Sequence, residues 1–450
     1  MTIQTTYNSI PRSVWTEMVR KSPTGNWFQT PEAYDFYASQ PELFQPFVVA
    51  ISNEAPLSEV QHSINPSLQT LRAVCVGYVT KEKNAIKQYF TRRAIILGGP
   101  ALADDATDEE VVALLEAVKT KTRHLQSLYS DLHETTHQSA CMQAFRQSED
   151  LSLIAVEQQD ASQKHAALTK NTKNIFYPYE PIYIETRNFN DYSKWKEAFE
   201  KAGFSYQPHL NFHVDCTDKE AMDAKLSENR KRQIKKAVKS GIEIVEVSAA
   251  HLKSEENIEN KIENKENILE DPPKEEKDSS EKNVISDNQQ KSQKKKDEED
   301  IAAWYEILVE LYRTRVKTPL FPLSFFIEFY RQGLGKYLLV KYEGKVIGGI
   351  MCPILEGRCI YEWFVCGMDT EYRNQNPSVM ATYAAMEYGN VHGLVRFDFM
   401  GAGKPNEPYG VREFKARFGG DEVEHGRFLC VTKPLFYKLG VFAVKILKHK

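Results

Sequence analysis

The stretch Gly410-Val-Arg-Glu-Phe-Lys-Ala-Arg-Phe-Gly-Gly420 sets Lys415 between Phe414 and Phe418, with Arg412 and Arg417 nearby. On a helix Arg412 and Lys415 are i, i+3 neighbours and Phe414 and Phe418 are i, i+4 neighbours. A cation in that setting can stabilise a developing oxyanion or a phosphate, with Phe414 stacked on a base or ring. The plainer reading is an amphipathic helix whose lysine snorkels to water. Just upstream, Val395-Arg-Phe-Asp-Phe399 alternates as a strand does and breaks into Met400-Gly-Ala-Gly-Lys404. Gly401 and Gly403 either permit a positive-φ turn or shape a loop around a substrate, with Tyr409 at its far side. Asp398, at the strand end, either orders that loop or accepts the proton of an attacking amine; ordering is the preferred reading. Nucleotide fingerprints fail here. Pro405 and Pro408 follow the glycines where a G-x-G-x-x-G helix should open, and Gly403-Lys404-Pro405 is not a P-loop.

A second cluster lies in Leu226–Ile244, LSENRKRQIKKAVKSGIEI. Helical spacing puts Arg232, Lys235, Lys236 and Lys239 on one face, with Ile234, Ala237 and Val238 on the opposite face towards a core. The cations form a solvated face, or they grip a pyrophosphate or an RNA end through charge-assisted bonds. A third candidate is Arg373-Asn-Gln-Asn-Pro-Ser378, ahead of a helical pattern. A CoA-dependent acetyltransferase of the GNAT type has R/Q-x-x-G-x-G/A at such a place, with helix N–H groups on the CoA pyrophosphate. Asn376 and Ser378 stand where glycines belong, and Pro377 removes a donor, so that grip is weakened; Arg373 remains a candidate for an anion. Glu362, in Cys359-Ile-Tyr-Glu-Trp-Phe-Val-Cys-Gly367, is a further base candidate. There is no G-x-S-x-G, no H-E-x-x-H and no carboxylate pair at informative spacing.

These residues need elements to hold them. The patterns predict helices over 11–21, 31–39, 108–126, 192–202, 219–240, 301–315, 323–332 and 378–391. They predict strands over 47–52, 71–80, 92–97, 182–187, 209–214, 242–247, 337–342, 345–355, 358–367 and 396–399, with a hairpin at Glu356-Gly357. Strands mixed with helices in this order imply an α/β or α+β fold, sheets covered by helices. A degenerate repeat underlies it. IYIETRNFNDYSKWKEAFEKAGFSYQPHLNFHV and VRFDFMGAGKPNEPYGVREFKARFGGDEVEHGRFLCV both run strand, loop, helix, strand, as two similar lobes would.

The 450 residues suffice for two or three domains, and no apolar run reaches the ~18 residues that span a bilayer. The N-terminus lacks the pattern of a signal peptide. Net charge is −4, but residues 251–300 hold 16 acids and 10 bases, leaving 48 bases against 46 acids elsewhere. A general nucleic-acid coat is excluded, and any anion-binding surface must be local. The charged, aromatic-poor run 252–300 is expected to be a disordered insertion, and the polar stretch 128–172 a second one. The seven cysteines show no zinc spacing, and no metal site is expected; reduced, buried thiols fit a cytoplasmic protein. The tail Lys433-Pro-Leu-Phe-Tyr-Lys-Leu-Gly-Val-Phe-Ala-Val-Lys-Ile-Leu-Lys448 is expected to form a helix packed on the first lobe. Its other reading is an amphipathic helix lying on the inner face of a membrane.

Taken in order and spacing, NRKRQIKKAVKSGIEI, PSVMATYAAMEYGNVHG and FDFMGAGKPNEPYGVREFKARFGG resemble the FemAB-like branch of the GNAT superfamily. The resemblance is strongest over about 200–430 and weaker over 27–110. It implies two tandem GNAT-like lobes, about 1–210 and 211–430, each a mixed, mostly antiparallel sheet flanked by helices, and then a terminal helix over 431–450. The best-known members move an amino acid from aminoacyl-tRNA to an amine of a peptidoglycan precursor. Lys415 and Phe414 match that family's Phe-Lys pair beside the tRNA acceptor end, while Arg232 and Lys236 fall in its basic helix near the acceptor's phosphates. The resemblance thus implies an acyltransferase with no bound cofactor, its activated donor being aminoacyl-tRNA or acyl-CoA and its acceptor a cell-envelope precursor or similar amine. Two other readings stay open: a CoA- or carrier-dependent acyltransferase acting on a sugar or lipid, and a non-catalytic binding module on the same fold.

Overall fold

The computed structural model describes residues 1–53, 71–82, 91–125, 180–249 and 280–448, the side chains of 280–290 and 443–448 excepted. The first sheet contains β1 (Thr2–Gln4), β2 (Phe44–Ser52), β3 (Leu71–Thr80), β4 (Ala94–Gly98), β5 (Ala101–Leu102), β6 (Tyr183–Asn188), β7 (Ser205–Gln207) and, from near the chain's end, β16 (Arg427–Val431). Its order is β1-β2-β3-β4-β6-β16-β7, with β5 on β3. The second sheet contains β8 (Leu210–Asp215), β9 (Glu243–Val247), β10 (Gly335–Tyr342), β11 (Lys345–Leu355), β12 (Cys359–Tyr361), β13 (Phe364–Gly367), β14 (Arg396–Asp398) and β15 (Asp421–Glu424). Its order is β15-β8-β14-β12-β11-β10-β9, with β13 on β11. Each sheet has one parallel pair, β4 with β6 and β12 with β14, among antiparallel ones. Two mixed, mostly antiparallel sheets flanked by helices are what the family resemblance implied.

The repeat takes a form that the sequence did not reveal. In the first copy β6 is followed by β7, which stays in its own sheet, and then by β8, which crosses to the second. In the second copy β14 is followed by β15, and then β16 crosses back. The trio β6-β16-β7 is therefore matched by β14-β8-β15, each central strand supplied by the other copy. Two chain crossings, at 208–209 and 425–426, tie the sheets together.

The helices are α1 (Arg12–Lys21), α2 (Pro31–Ala38), α3 (Asp108–Arg123), α4 (Lys196–Lys201), α5 (Lys219–Lys225), α6 (Glu228–Lys239), α7 (Ser280–Leu311), α8 (Leu323–Arg331), α9 (Pro377–Val391), α10 (Gly410–Ala416) and α11 (Pro434–Lys448). Local chemistry explains several ends. Thr107 and Glu110 close a capping box on α3, and Thr30 caps α2 with Pro31 in its first turn. The single helix expected over 219–240 is two, because Leu226 turns to extended backbone and Ser227 caps α6 by accepting from Arg230 N at 3.3 Å.

The run 252–300 divides: residues 280–300 extend α7 upstream of the helix start expected at 301, and the remainder, like 128–172, lies outside the described residues. The acids that suggested disorder have partners. Asp297 accepts from Tyr330 Oη at 2.9 Å, Glu298 pairs with Arg331 at 2.8 Å, and Asp300 with Lys341 at 2.5 Å. Ile301, Trp304 and Leu308 then bury one face of the helix. A charged segment folds when its charges meet counter-charges on a packed surface.

The two sheets share a core of rings. Phe28 and Trp27 of the first half meet Trp363 of the second at 5.0 and 5.9 Å between centroids, and Phe36 meets Phe325 at 5.0 Å. The edge-on pairs, Phe28–Trp363 and Phe36–Phe325, each add about 0.5–1.5 kcal/mol beyond area burial. This core fixes the second sheet, and with it the parallel strands that carry the candidate site.

Candidate functional site

The parallel strands β12 and β14 pair from Cys359↔Arg396 to Tyr361↔Asp398, and the last bond runs from Glu362 N to the Asp398 carbonyl at 2.9 Å. Then they part. The chain bulges at Glu362-Trp363, β13 continues on β11 alone, and among the described residues no backbone bond joins 363–367 to 399–403. The strand expected over 358–367 is broken at this bulge. Parting strands leave carbonyls without partners, and buried carbonyls need donors.

Lys415 supplies them. Its Nζ donates to the carbonyls of Phe399 at 2.6 Å and Gly401 at 2.9 Å, and lies 3.1 Å from Glu362 Oε1. An ammonium has three hydrogens, and three acceptors surround this one. The side chain is buried, not snorkelling. Glu362 is buried too; Thr382 Oγ1 of α9 donates to its other oxygen at 3.2 Å. Burial holds the Glu362 carboxyl above the usual carboxylate range, against the opposing pull of Lys415 and Thr382. Glu362, the lesser base candidate in sequence, thus has the more telling position.

Asp398 sits on the opposite side of the same strand. It is fully buried, accepting from Asn211 Nδ2 at 2.8 Å and from Met400 N at 2.7 Å. His213 Nε2 lies 3.1 Å from its second oxygen, out of hydrogen-bond alignment, with Arg396 at 3.7 Å. Burial alone would raise its pKa, but His213, Arg396 and Asn211 outweigh it and bring it to about 2. These bonds fasten the start of the loop to β8 and β14. Asn211 Oδ1 also accepts from Gly401 N at 2.7 Å, so the turn is held by its N–H groups from one side and by its carbonyls, through Lys415, from the other. Gly401 and Gly403 have φ of 122° and 80°, and a Cβ on Gly403 would stand 2.8 Å from the Tyr409 ring. Both demands explain the glycines.

Phe414 is half-buried, and its position depends on a residue that the sequence reading passed over. Arg230 of α6 is 2% exposed; its guanidinium lies 4.5 Å from the Phe414 centroid and 4.2 Å from that of Phe418, and it donates to the Phe414 carbonyl at 2.8 Å. Burial and the Arg417 charge lower its pKa to about 10. The signal was its spacing: Arg230, Ile234 and Ala237 share the inward face of α6. Val238, expected in the core, is 61% exposed. Arg232, Lys235, Lys236 and Lys239 form an exposed face and make no contact with the Lys415 group. Arg373 is also exposed, its Nε donating to the Thr370 carbonyl at 3.2 Å.

The N-terminus of α9 is closed by the protein's own carboxylate. Asp369 accepts from Ser378 N at 3.1 Å and from Ser378 Oγ at 2.6 Å, while Asn376 takes a φ of 45° ahead of Pro377. Burial raises the Asp369 pKa, with Ser378, Arg315 and Arg230 opposing. A diphosphate seeking those donors would meet a carboxylate already there. Among the described residues no group of His, Cys, Asp or Glu is arranged to hold a metal ion, and Cys75, Cys216, Cys352, Cys359, Cys366 and Cys430 are buried free thiols.

Residues 281–415 match the acetyltransferase (GNAT) domain family. The match covers 135 of the 450 residues and supports a GNAT-type acyltransferase domain there in general terms. Among solved structures, FemX overlaps 97% of this chain and 99% of its own at 12% identity and a TM-score of 0.46. A tandem GNAT protein from the clavulanic acid biosynthesis pathway overlaps 95% of this chain and 98% of its own at 8% identity and a TM-score of 0.43. The C-terminal domain of a lysylphosphatidylglycerol synthetase from Agrobacterium fabrum overlaps 83% and 85% at 9% identity and a TM-score of 0.42. At these identities and scores the overlaps say nothing about chemistry. No curated protein sequence matches the chain.

Proposed function

We propose that this protein is an N-acyl or aminoacyl transferase whose reacting carbonyl enters where β12 and β14 part. The observation that carries this is the buried ammonium of Lys415, held 3.1 Å from the Glu362 carboxylate at the start of that opening. An activated ester such as aminoacyl-tRNA already holds the energy for transfer. What remains is to bring the amine close, remove its proton and stabilise the tetrahedral oxygen. The amine nitrogen bonds to the carbonyl carbon, its proton passes to Glu362, and the ester C–O bond breaks as the leaving hydroxyl takes a proton back. Lys415 exchanges one of its carbonyl acceptors for the developing oxyanion. Glu362, with its pKa raised by burial, is a better proton acceptor than an exposed carboxylate.

Phe414 offers a ring to an RNA end, and the exposed cations Arg232, Lys235 and Lys236, with Arg373, offer charge to phosphates of donor or acceptor. The acceptor in this reading is an amine on a cell-envelope precursor. Acyl-CoA is not the preferred donor, because Asp369 occupies the helix terminus that a CoA diphosphate would use. The test is a transfer assay with labelled aminoacyl-tRNA and labelled acetyl-CoA, each with a mixture of cell-envelope precursors. Label passing from tRNA to an amine supports the reading. Label passing from acetyl-CoA alone replaces it with a CoA-dependent acyltransferase, and transfer from neither favours a binding module.

A further inference from the structure

Helix α11 presents a surface that the transfer chemistry does not use. It is rooted on the first sheet. Thr432 N and Lys433 N both donate to the Ile182 carbonyl, at 3.0 and 3.1 Å, and the Tyr437 ring meets Tyr183 edge-on at 5.6 Å. Beyond that root the apolar side chains turn outwards: Leu435 is 77% exposed, Leu439 62% and Phe442 63%. At i, i+4 and i+7 they form one stripe along the helix. Leaving three large apolar side chains in water forgoes about 1.5–3 kcal/mol each, so a cover for them is to be expected.

Charge indicates which cover. From Pro434 to Lys450 the sequence has no acid and four lysines, in a chain whose net charge is −4. Lys438 lies between Leu435 and Phe442 in sequence, at helical spacing from both. An apolar stripe flanked by lysines complements an anionic lipid surface, where chains take the stripe and headgroups take the cations. The 15 residues of α11 would reach about 22 Å at 1.5 Å per residue, short of the hydrocarbon core. Among the described residues no helix is long and apolar enough to cross a membrane. We propose that α11 lies flat on an anionic bilayer and carries the protein as a peripheral anchor.

The test is sedimentation of the full chain with phosphatidylcholine vesicles and with vesicles containing about 30 mol% phosphatidylglycerol, at low and high salt. Binding to the anionic vesicles is expected, weakened by salt and by Lys438→Gln. Leu439→Glu and Phe442→Glu should each reduce it on the order of tenfold or more while leaving thermal unfolding unchanged, because both positions are exposed. Failure of the wild-type chain to bind anionic vesicles overturns the proposal, as does binding that both glutamate variants retain. Concentration-dependent self-association abolished by the same substitutions, without vesicle binding, would mean that a second copy covers the stripe and would equally overturn it. None of these outcomes depends on whether transfer occurs.

Discussion

Lys415 and Glu362 face each other at 3.1 Å where two parallel strands separate, and both are buried. A buried pair of this kind is costly to break and less costly to replace. Removing one partner strands the other charge, at about 3–5 kcal/mol. In Lys415→Met the Phe399 and Gly401 carbonyls lose their donor as well. Urea unfolding should therefore show Lys415→Met to be strongly destabilised, and Lys415→Met/Glu362→Gln to recover part of the loss. Equal stability of the single and double variants would mean that the two charges do not sense each other.

The pair also predicts a pH dependence of transfer. Glu362 must be ionised to take a proton, and burial raises its pKa. The ascending limb of kcat/KM should thus lie above the range of an exposed carboxylate and vanish in Glu362→Gln, with a rate loss of about 10²–10⁴. A profile unchanged in Glu362→Gln would assign the proton transfer elsewhere.

Arg230 sets the ring that borders the site. Arg230→Met keeps much of the packing but loses the bond to the Phe414 carbonyl and both cation–π contacts, the latter worth up to about 2 kcal/mol when desolvated. The expected result is a rise in KM for the donor with a smaller change in kcat. Loss of kcat alone would mean that Arg230 does not act through Phe414.

Acid should destabilise the fold in two stages. Burial first, with Arg427 for His209 and His213 for His425, lowers these imidazoles to about 3 and about 4 from an ordinary value of 6.5. The unfolded chain then binds more protons than the native one below pH 6.5, so stability falls as pH drops through that window. Asp398, depressed to about 2 from 3.8, adds a second loss between those values. His209→Gln should flatten the first stage in a series of denaturant melts from pH 7 to pH 3. An unaltered slope would show that His209 titrates normally.

The parts of this structure legible in sequence were those set by local pattern. The nearly continuous apolar runs over 71–80 and 345–355 marked both strands to the residue, and the Phe-Lys spacing led to Lys415. What escaped depended on partners far along the chain. Asp297, Glu298 and Asp300 read as disorder because Tyr330, Arg331 and Lys341 could not be placed beside them. Arg230 was counted with a basic run, although its spacing from Ile234 and Ala237 points inwards. The exchange of β8 and β16 between the sheets leaves no local trace, since both strands follow short, polar turns. Lys415 itself was found for its neighbours in sequence, but its contact with Glu362 joins residues 53 positions apart.

The central claim is that acyl transfer takes place at the Lys415–Glu362 opening. Its most direct test is the single-turnover rate of label transfer from aminoacyl-tRNA to the amine acceptor, in the wild type and in Lys415→Met/Glu362→Gln, with folding of both confirmed by thermal unfolding. The expected result is transfer by the wild type and a fall of at least about 10²–10³-fold in the folded double variant. Transfer at the wild-type rate by that variant would contradict the claim.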